Sequence, residues 1–337
     1  RPWTWTEVRS VAEAEIDIGG VLAEQLDRLF HAQVSAERLA SIEAGEDNAD
    51  LWLKVAELGI EYAMAGGDLG AELGWQDCLA VFQVLGWHGA PVPLAEVMLA
   101  NRLLSGATLD AAAGPVALCT ELFELDEHQR LSGEDSLVPW LPIARTVVGI
   151  AVRDGEQYVF SLDTEGLSTG PVETLARIPS ARLQLVAVPV SACAPAGPET
   201  GPEGLQPQLA LLRAIQISGA LSRILELTID YANTRSQFGR SIGKFQAIQH
   251  LVADLALEVA TVQAASSYGC RTMDEGHALQ GAAVAKHLAS AAAGEVARIS
   301  HQVFGAIGVT EEHELHHLTR RLWQWRQEAG SEYEWSE

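Results

Sequence analysis

Three apolar-periodic, alanine-rich stretches dominate the second half of the chain: residues 209–234, 245–275 and 281–303. Each is longer than the ~12 residues of an average helix. Alanine at so many positions lets helix axes approach closely, so three such segments in succession predict a helical bundle. Between the first two lies YANTRSQFGRSIGKFQAIQH, residues 231–250, where Gly239 and Gly243 break the pattern in a short aromatic turn. Arg235, Arg240 and Lys244 place three cations within ten residues of a chain whose formal charge is −23. A turn of this kind at a helix junction suits an anionic ligand, most simply a phosphate. It equally suits a corner whose cations are only solvated.

The rest of the chain divides by character. From about Thr6 to Leu104 the apolar spacing is helical. Trp52, Val55 and Ala56 share a face that Gly59 closes, a second helix starts at Gly74 or Trp75 and stops near Gly86, and Pro91 and Pro93 stiffen the entry to a third at Leu94. After Pro115 the signals become short β-branched runs. Residues 146–152 and 157–162 flank Asp154-Gly155, a strong hairpin turn, and 182–188 reads as a further strand. The predicted organisation is an N-terminal helical domain (1–114), a small β domain (115–190), a Pro/Gly/Ala-rich linker (191–207), and a C-terminal helical bundle with a terminal loop (208–337).

Composition narrows the function classes. With 48% hydrophobic and 20% charged residues the chain is too apolar for disorder, and no run approaches the ~18 apolar residues of a membrane span. No membrane insertion is expected, and residues 1–18 lack the continuous apolar core of a signal peptide. Forty-five acidic against 22 basic residues argue against nucleic acid as a partner. Cys78, Cys119, Cys193 and Cys270 lie far apart without a C-x-x-C pair, which fits free thiols in a reducing cytoplasm better than a disulfide framework or a thiolate metal site.

The turn has a recognisable spelling. RSQFGRSIGKFQAIQH (235–250) resembles the R-x-x-F-G-x-x-I-x-x-F-Q-x-x-x-H signature of acyl-CoA dehydrogenases. HQVFGAIGVT (301–310) resembles their H-Q-x-x-G-G-x-G-x-T loop, with Ala306 in place of the second glycine. LWLKVAELG (51–59) and GWHGAPVPL (86–94) resemble two N-terminal stretches of the same family. The resemblance implies a mainly α fold with a small central β domain and a C-terminal four-helix bundle. It also implies FAD between β domain and bundle, reaching across a subunit interface. Arg235 matches the arginine that meets the flavin dinucleotide's pyrophosphate from a neighbouring subunit, and a guanidinium fork suits that task. Phe238 and Gln246 match nearby FAD contacts. Gln302, Phe304, Gly305 and Ala306 match the loop near the adenine-ribose end, where small residues let backbone come close. The implied chemistry is α,β-dehydrogenation of an acyl-CoA, with a carboxylate taking the α-proton and FAD the hydride.

Three departures from the family pattern shape the expectation. An ungapped match for the catalytic base falls on Ala329, and a one-residue shift makes Glu328 the base; without it the site is empty. The alternative base position, in the helix before the arginine turn, is Leu209, with no carboxylate among its neighbours. The β domain keeps only Thr120-Glu121 of a flavin-contacting loop whose glycines are gone, and the chain is short for the family. Together these resemble the heteromeric branch, in which two unlike chains share flavin sites in an α2β2 tetramer serving lipid or steroid catabolism. The partners implied are an acyl-CoA substrate, a second subunit in a hetero- or homotetramer, and an electron-transfer flavoprotein or other acceptor. Two readings follow: a dehydrogenase subunit with Glu328 as base, or a non-catalytic structural subunit that completes a partner's FAD site. A competing motif, His313-Glu314-Leu315-His316-His317, matches the zinc-hydrolase pattern H-E-x-x-H, but no substrate-binding region follows it, and no metal is expected.

Overall fold

The computed structural model describes residues 17–67, 70–197, 200 and 204–336. The helical pattern read from Thr6 to Ile16, and most of the stretch inspected for a leader, lie outside them. Asp17 caps α1 (Ile18–Gln33) through its carboxylate, which accepts from Gly20 N at 2.8 Å, satisfying a donor that a helix start leaves without an intrahelical partner. α2 (Ala36–Glu43) begins on the Ser35 hydroxyl, and α3 (Ala49–Ala56) buries Leu51, Trp52 and Val55 before the chain turns at Gly59, φ +66°. α4 (Trp75–Trp87) and α5 (Leu94–Gly106) complete the first helical region. The start of α4 borrows its cap from the C-terminal bundle: the Asp274 carboxylate accepts from Trp75 N at 2.8 Å and Gln76 N at 2.9 Å.

The chain then forms an eight-stranded mixed sheet from β1 (Val116–Leu118), β2 (Phe123–Leu125), β3 (Arg130–Pro139), β4 (Thr146–Arg153), β5 (Glu156–Asp163), β6 (Ser168–Val172), β7 (Ser180–Pro189) and β8 (Ala192–Pro195). The order is β6-β7-β3-β2-β4-β5-β8, with β1 and β2 both parallel to β4 at different heights. The predicted hairpin is present: Arg153 faces Glu156 across Asp154 (φ +53°) and Gly155 (φ +82°), the positive-φ pair that a tight two-residue turn requires. β8 corrects the reading of 191–207 as linker throughout. Ala192 to Pro195 pair with Tyr158 to Ser161 of β5; four small residues ending in proline carry no period-2 signal, so an edge strand here is invisible to pattern reading.

The sheet is buried on two sides because successive side chains alternate. Val116, Leu118, Val148, Ile150 and Val159 join one continuous core with the helices, whereas Ala117, Cys119, Val147, Ala151 and Phe160 form a separate core with Phe123, Leu131 and Leu183. Beyond the sheet, α6 (Gln206–Thr234), α7 (Gln246–Asp274), α8 (Ala278–Phe304) and α9 (Leu315–Gln327) make the bundle. A two-strand hairpin, β9 (Ser236–Gln237) and β10 (Arg240–Ser241), sits between α6 and α7. α4 lies against α6 at close range: a Cβ built on Gly86 would stand 1.9 Å from Gln216 O, and one on Gly219 2.0 Å from Gln83 O. Only glycine fits at both positions, and the N-terminal helices are thereby set directly on the bundle. None of the described helices is long and apolar enough to cross a membrane.

Candidate functional site

α6 carries a cluster at each end. Arg235 lies 22 positions after Arg213, about 33 Å at 1.5 Å per helical residue, so the two clusters are separate.

At the C-terminal end the arginine turn is a hairpin. Ser236 pairs with Ser241 and Gln237 with Arg240, and the two turn residues are Phe238 (φ +52°) and Gly239 (φ +78°). A left-handed backbone is costly for a bulky aromatic residue, and the Phe238 side chain is 90% exposed. The Arg240 guanidinium stacks on the Phe245 ring at 4.2 Å, and Phe245 precedes α7. Tyr231 stacks on Phe304 at 4.3 Å and its hydroxyl donates to Phe304 O at 3.3 Å, which ties the end of α6 to the loop after α8. Arg235, Phe238, Gln302, Phe304, Gly305 and Ala306 thus line one open pocket of about 730 Å³, with Tyr231 and Ile248 on its walls. Gln246 is exposed on the first turn of α7, beside this pocket but not on its wall. Arg235 is exposed, and among the described residues no carboxylate engages it. Gly305 is at φ +65° with open space where a Cβ would be, so its backbone is accessible to a ligand.

At the N-terminal end lies a different cavity, about 260 Å³, between sheet and bundle. Leu118, Thr120 and Pro139 face Leu209, Arg213 and Glu328 across it. Arg213 is the centre. Its side chain is 5% exposed, its Nη2 stands 2.8 Å from Glu96 Oε1, and its Nε donates to Glu328 Oε2 at 2.6 Å; Nη1 donates to Gln216 at 2.7 Å. Burial pushes the guanidinium down, the Glu328 and Glu96 carboxylates more than reverse that, and the net shift is upward. The other oxygen of Glu328 accepts from Gln324 Nε2 at 2.6 Å. Both oxygens of the candidate base are therefore engaged. Asp135, almost fully buried, holds the Thr120-Glu121 loop by accepting from both backbone N–H groups, at 2.8 and 3.2 Å.

The two clusters differ in what they can hold. The sheet–bundle cavity gathers Glu96, Glu121, Asp135, Glu328 and Glu334 around one guanidinium whose three nitrogens each already have a partner, an environment that disfavours an anionic dinucleotide. The Arg235 pocket offers a free planar donor and approachable glycine backbone, which fit a pyrophosphate.

Arg213 and Glu96 were not found by sequence reasoning. The available signal was a lone cation inside the otherwise apolar run LALLRAIQI, since a charge on a buried helix face requires a partner. The H-E-x-x-H spelling is resolved by geometry. α9 starts at Leu315, so His313 and His317 are not one helical turn apart on a single helix. Glu314 pairs with Arg223 at 3.0 Å, and His317 Nδ1 lies 2.9 Å from Glu43 Oε2. Burial works against the Glu43 charge, but the His317 hydrogen bond and the Arg321 and Arg320 charges outweigh it and lower its pKa.

Comparison with known proteins agrees with this architecture. Residues 208–332 match the family described as "Acyl-CoA dehydrogenase, C-terminal domain". The chain is 30% identical over 294 residues to Acyl-CoA dehydrogenase IpdE2 of Mycolicibacterium smegmatis, covering 85% of either chain. It therefore belongs to the acyl-CoA dehydrogenase family. Among solved structures it is similar to a chain of the ChsE4-ChsE5 complex from Mycobacterium tuberculosis, with TM-score 0.84, 25% identity and 94% of each chain covered. Butyryl-CoA dehydrogenase from Megasphaera elsdenii shares the fold at TM-score 0.78 and 17% identity, over 100% of this chain and 98% of that one.

Proposed function

We propose that this chain is the flavin-completing member of a two-chain acyl-CoA dehydrogenase: it contributes the Arg235 pocket to an FAD held mainly by an unlike partner, and it does not itself take the substrate's α-proton. The observation that carries this reading is the contrast between the ends of α6. Glu328 has both oxygens bonded and its guanidinium partner shared with Glu96, whereas Arg235 is exposed without an acidic partner among the described residues. A general base needs a lone pair free toward the substrate proton; a phosphate site needs free donors. Similarity to a chain from a two-protein complex supports the heteromeric form.

In this role Arg235 would present paired N–H donors to pyrophosphate oxygens, Gly305 would let main chain approach the dinucleotide, and Phe238 at the hairpin tip would cover it from outside. FAD, when bound, supplies the acceptor for the substrate's β-hydride. The second reading, Glu328 as base of a dehydrogenase, is favoured by one observation: Glu328 lines the cavity beside Leu209 and Gln206. It requires Arg213 to release a buried carboxylate.

The test is co-expression with the partner subunit and parallel assay of two variants. Arg235→Ala is expected to lose bound FAD and turnover together, and Glu328→Gln to keep both, with thermal midpoints confirming assembly. Loss of turnover in Glu328→Gln with FAD retained would overturn the proposal in favour of the second reading.

A further inference from the structure

A third cluster lies where α1 crosses α4, and no part of the flavin reading uses it. The crossing is tight, because a Cβ on Gly19 would stand 1.8 Å from Asp77 O, so positions along the two helices are fixed against each other. One turn apart on α1 are Asp27 and His31; His88 follows directly on α4. Asp27 Oδ1 lies 2.8 Å from His88 Nε2 and 3.3 Å from His31 Nδ1, and one ligand atom from each residue falls within 4.8 Å of the other two. The imidazoles meet edge to face at 4.8 Å, with Trp87 5.1 Å from His31 and Phe30 5.5 Å from His88.

We infer that Asp27, His31 and His88 form a binding site for a divalent transition-metal ion of the zinc type, which would clamp α1 to α4. Donor atoms around one tetrahedral zinc at ~2.0–2.1 Å stand roughly 3.3 Å apart, close to the two carboxylate–imidazole separations already present, and the two imidazole donors lie within 4.8 Å of each other. Two imidazoles and one carboxylate are too rich in nitrogen for calcium or magnesium and contain no thiolate for a soft ion. The Asp27 and His31 side chains are 40% and 56% exposed while His88 is 4% exposed, so two ligands face solvent, the ion has an entry path, and a fourth position is open to water. Without an ion, His31 Nδ1 also lies 3.0 Å from the Asp27 main-chain oxygen. Binding moves that ring's proton to Nε2 and that of His88 to Nδ1, with no change in the charge of either ring. The nearby cation, Arg223, is stacked on Trp87 at 4.3 Å and paired with Glu314, so it leaves the Asp27 charge available.

The test uses the untagged full chain, stripped with chelator and dialysed. Calorimetric titration with Zn²⁺ is expected to show one saturable equivalent, and Zn²⁺ to raise the thermal midpoint. His31→Ala removes an exposed side chain and is expected to fold normally, to weaken Zn²⁺ binding by more than about tenfold and to abolish the shift. His128→Ala, at an exposed histidine of the β domain, should change neither. Absence of a saturable equivalent, unchanged affinity in His31→Ala, or an equal loss in His128→Ala would each overturn the site.

Discussion

Arg213 and Lys286 show how much of this molecule's behaviour is set by single buried cations. Arg213→Met removes the guanidinium that contacts both buried carboxylates, Glu96 and Glu328, and a loss of about 3–5 kcal/mol is expected in denaturant unfolding. Adding Glu96→Gln and Glu328→Gln to that variant should recover most of it, because the cost lies in the uncompensated charges; no recovery would mean that Arg213 acts by packing alone. Lys286 is fully buried, and its Nζ donates to the carbonyls of Trp325 at 2.6 Å and Arg326 at 3.0 Å, closing the end of α9. Burial pushes it down from 10.5 to about 7, against the pull of Glu328. The unfolded chain then holds more protons than the folded one between those values, so stability rises with pH there. Buried thiols act in the opposite sense from about pH 9 upward: Cys78 is pushed up to about 12, and Cys119 and Cys270 are raised as well. The interval from pH 7 to 9 therefore isolates Lys286. The unfolding free energy of the wild type minus that of Lys286→Met is expected to grow by up to about 3 kcal/mol across it, and a flat difference would rule out deprotonation. At this scale the sequence was legible where a motif spelled out a local turn, as at Arg235 and Phe238. It was silent on the Glu96, Arg213 and Glu328 cluster, whose members meet only through the packing of α5, α6 and the end of α9.

Helices and strands owe their placement to a few close approaches that pattern reading registers only indirectly. Gly86 reads in the sequence as a helix stop and Gly219 stands unremarked inside a long helical run, yet each sits against the other helix's backbone. Gly219→Ala drives a methyl into Gln83 O, which cannot yield, and should cost about 3 kcal/mol. Gly294→Ala on α8 meets chiefly one terminal nitrogen of the long Arg326 side chain, at 3.0 Å, rather than backbone, and should be neutral or mildly stabilising through helix propensity. Comparable midpoints for the two variants in urea would contradict the close crossing. The long helices were readable because periodicity accumulates over many residues; α6, α7 and α8 lie within a few residues of expectation. Short elements were not. β8 escaped notice, and α9, which begins at Leu315, is too short and too polar over its first turns to stand out by periodicity.

For the whole molecule, the α, β, α order was legible from periodicity and turn signals, and the family spelling singled out the arginine turn of the bundle. Which of the two clusters remains chemically open depends on burial and pairing, and these are three-dimensional properties. With its flavin-fitting pocket on the outside and its inner cavity strongly acidic, the full chain expressed alone is expected to carry well below one flavin per chain, rising on co-expression with the unlike subunit. Stoichiometric flavin absorbance on the isolated chain would contradict that division of labour. The Arg213 cluster also bears on the order of events during synthesis. Glu96 and α6 are made long before Glu328, so until the segment after α9 is made the Arg213 guanidinium lacks one of its two carboxylates. Closure of the inner cavity has to wait for the segment after α9, and association with a partner that depends on a finished bundle is correspondingly a late step.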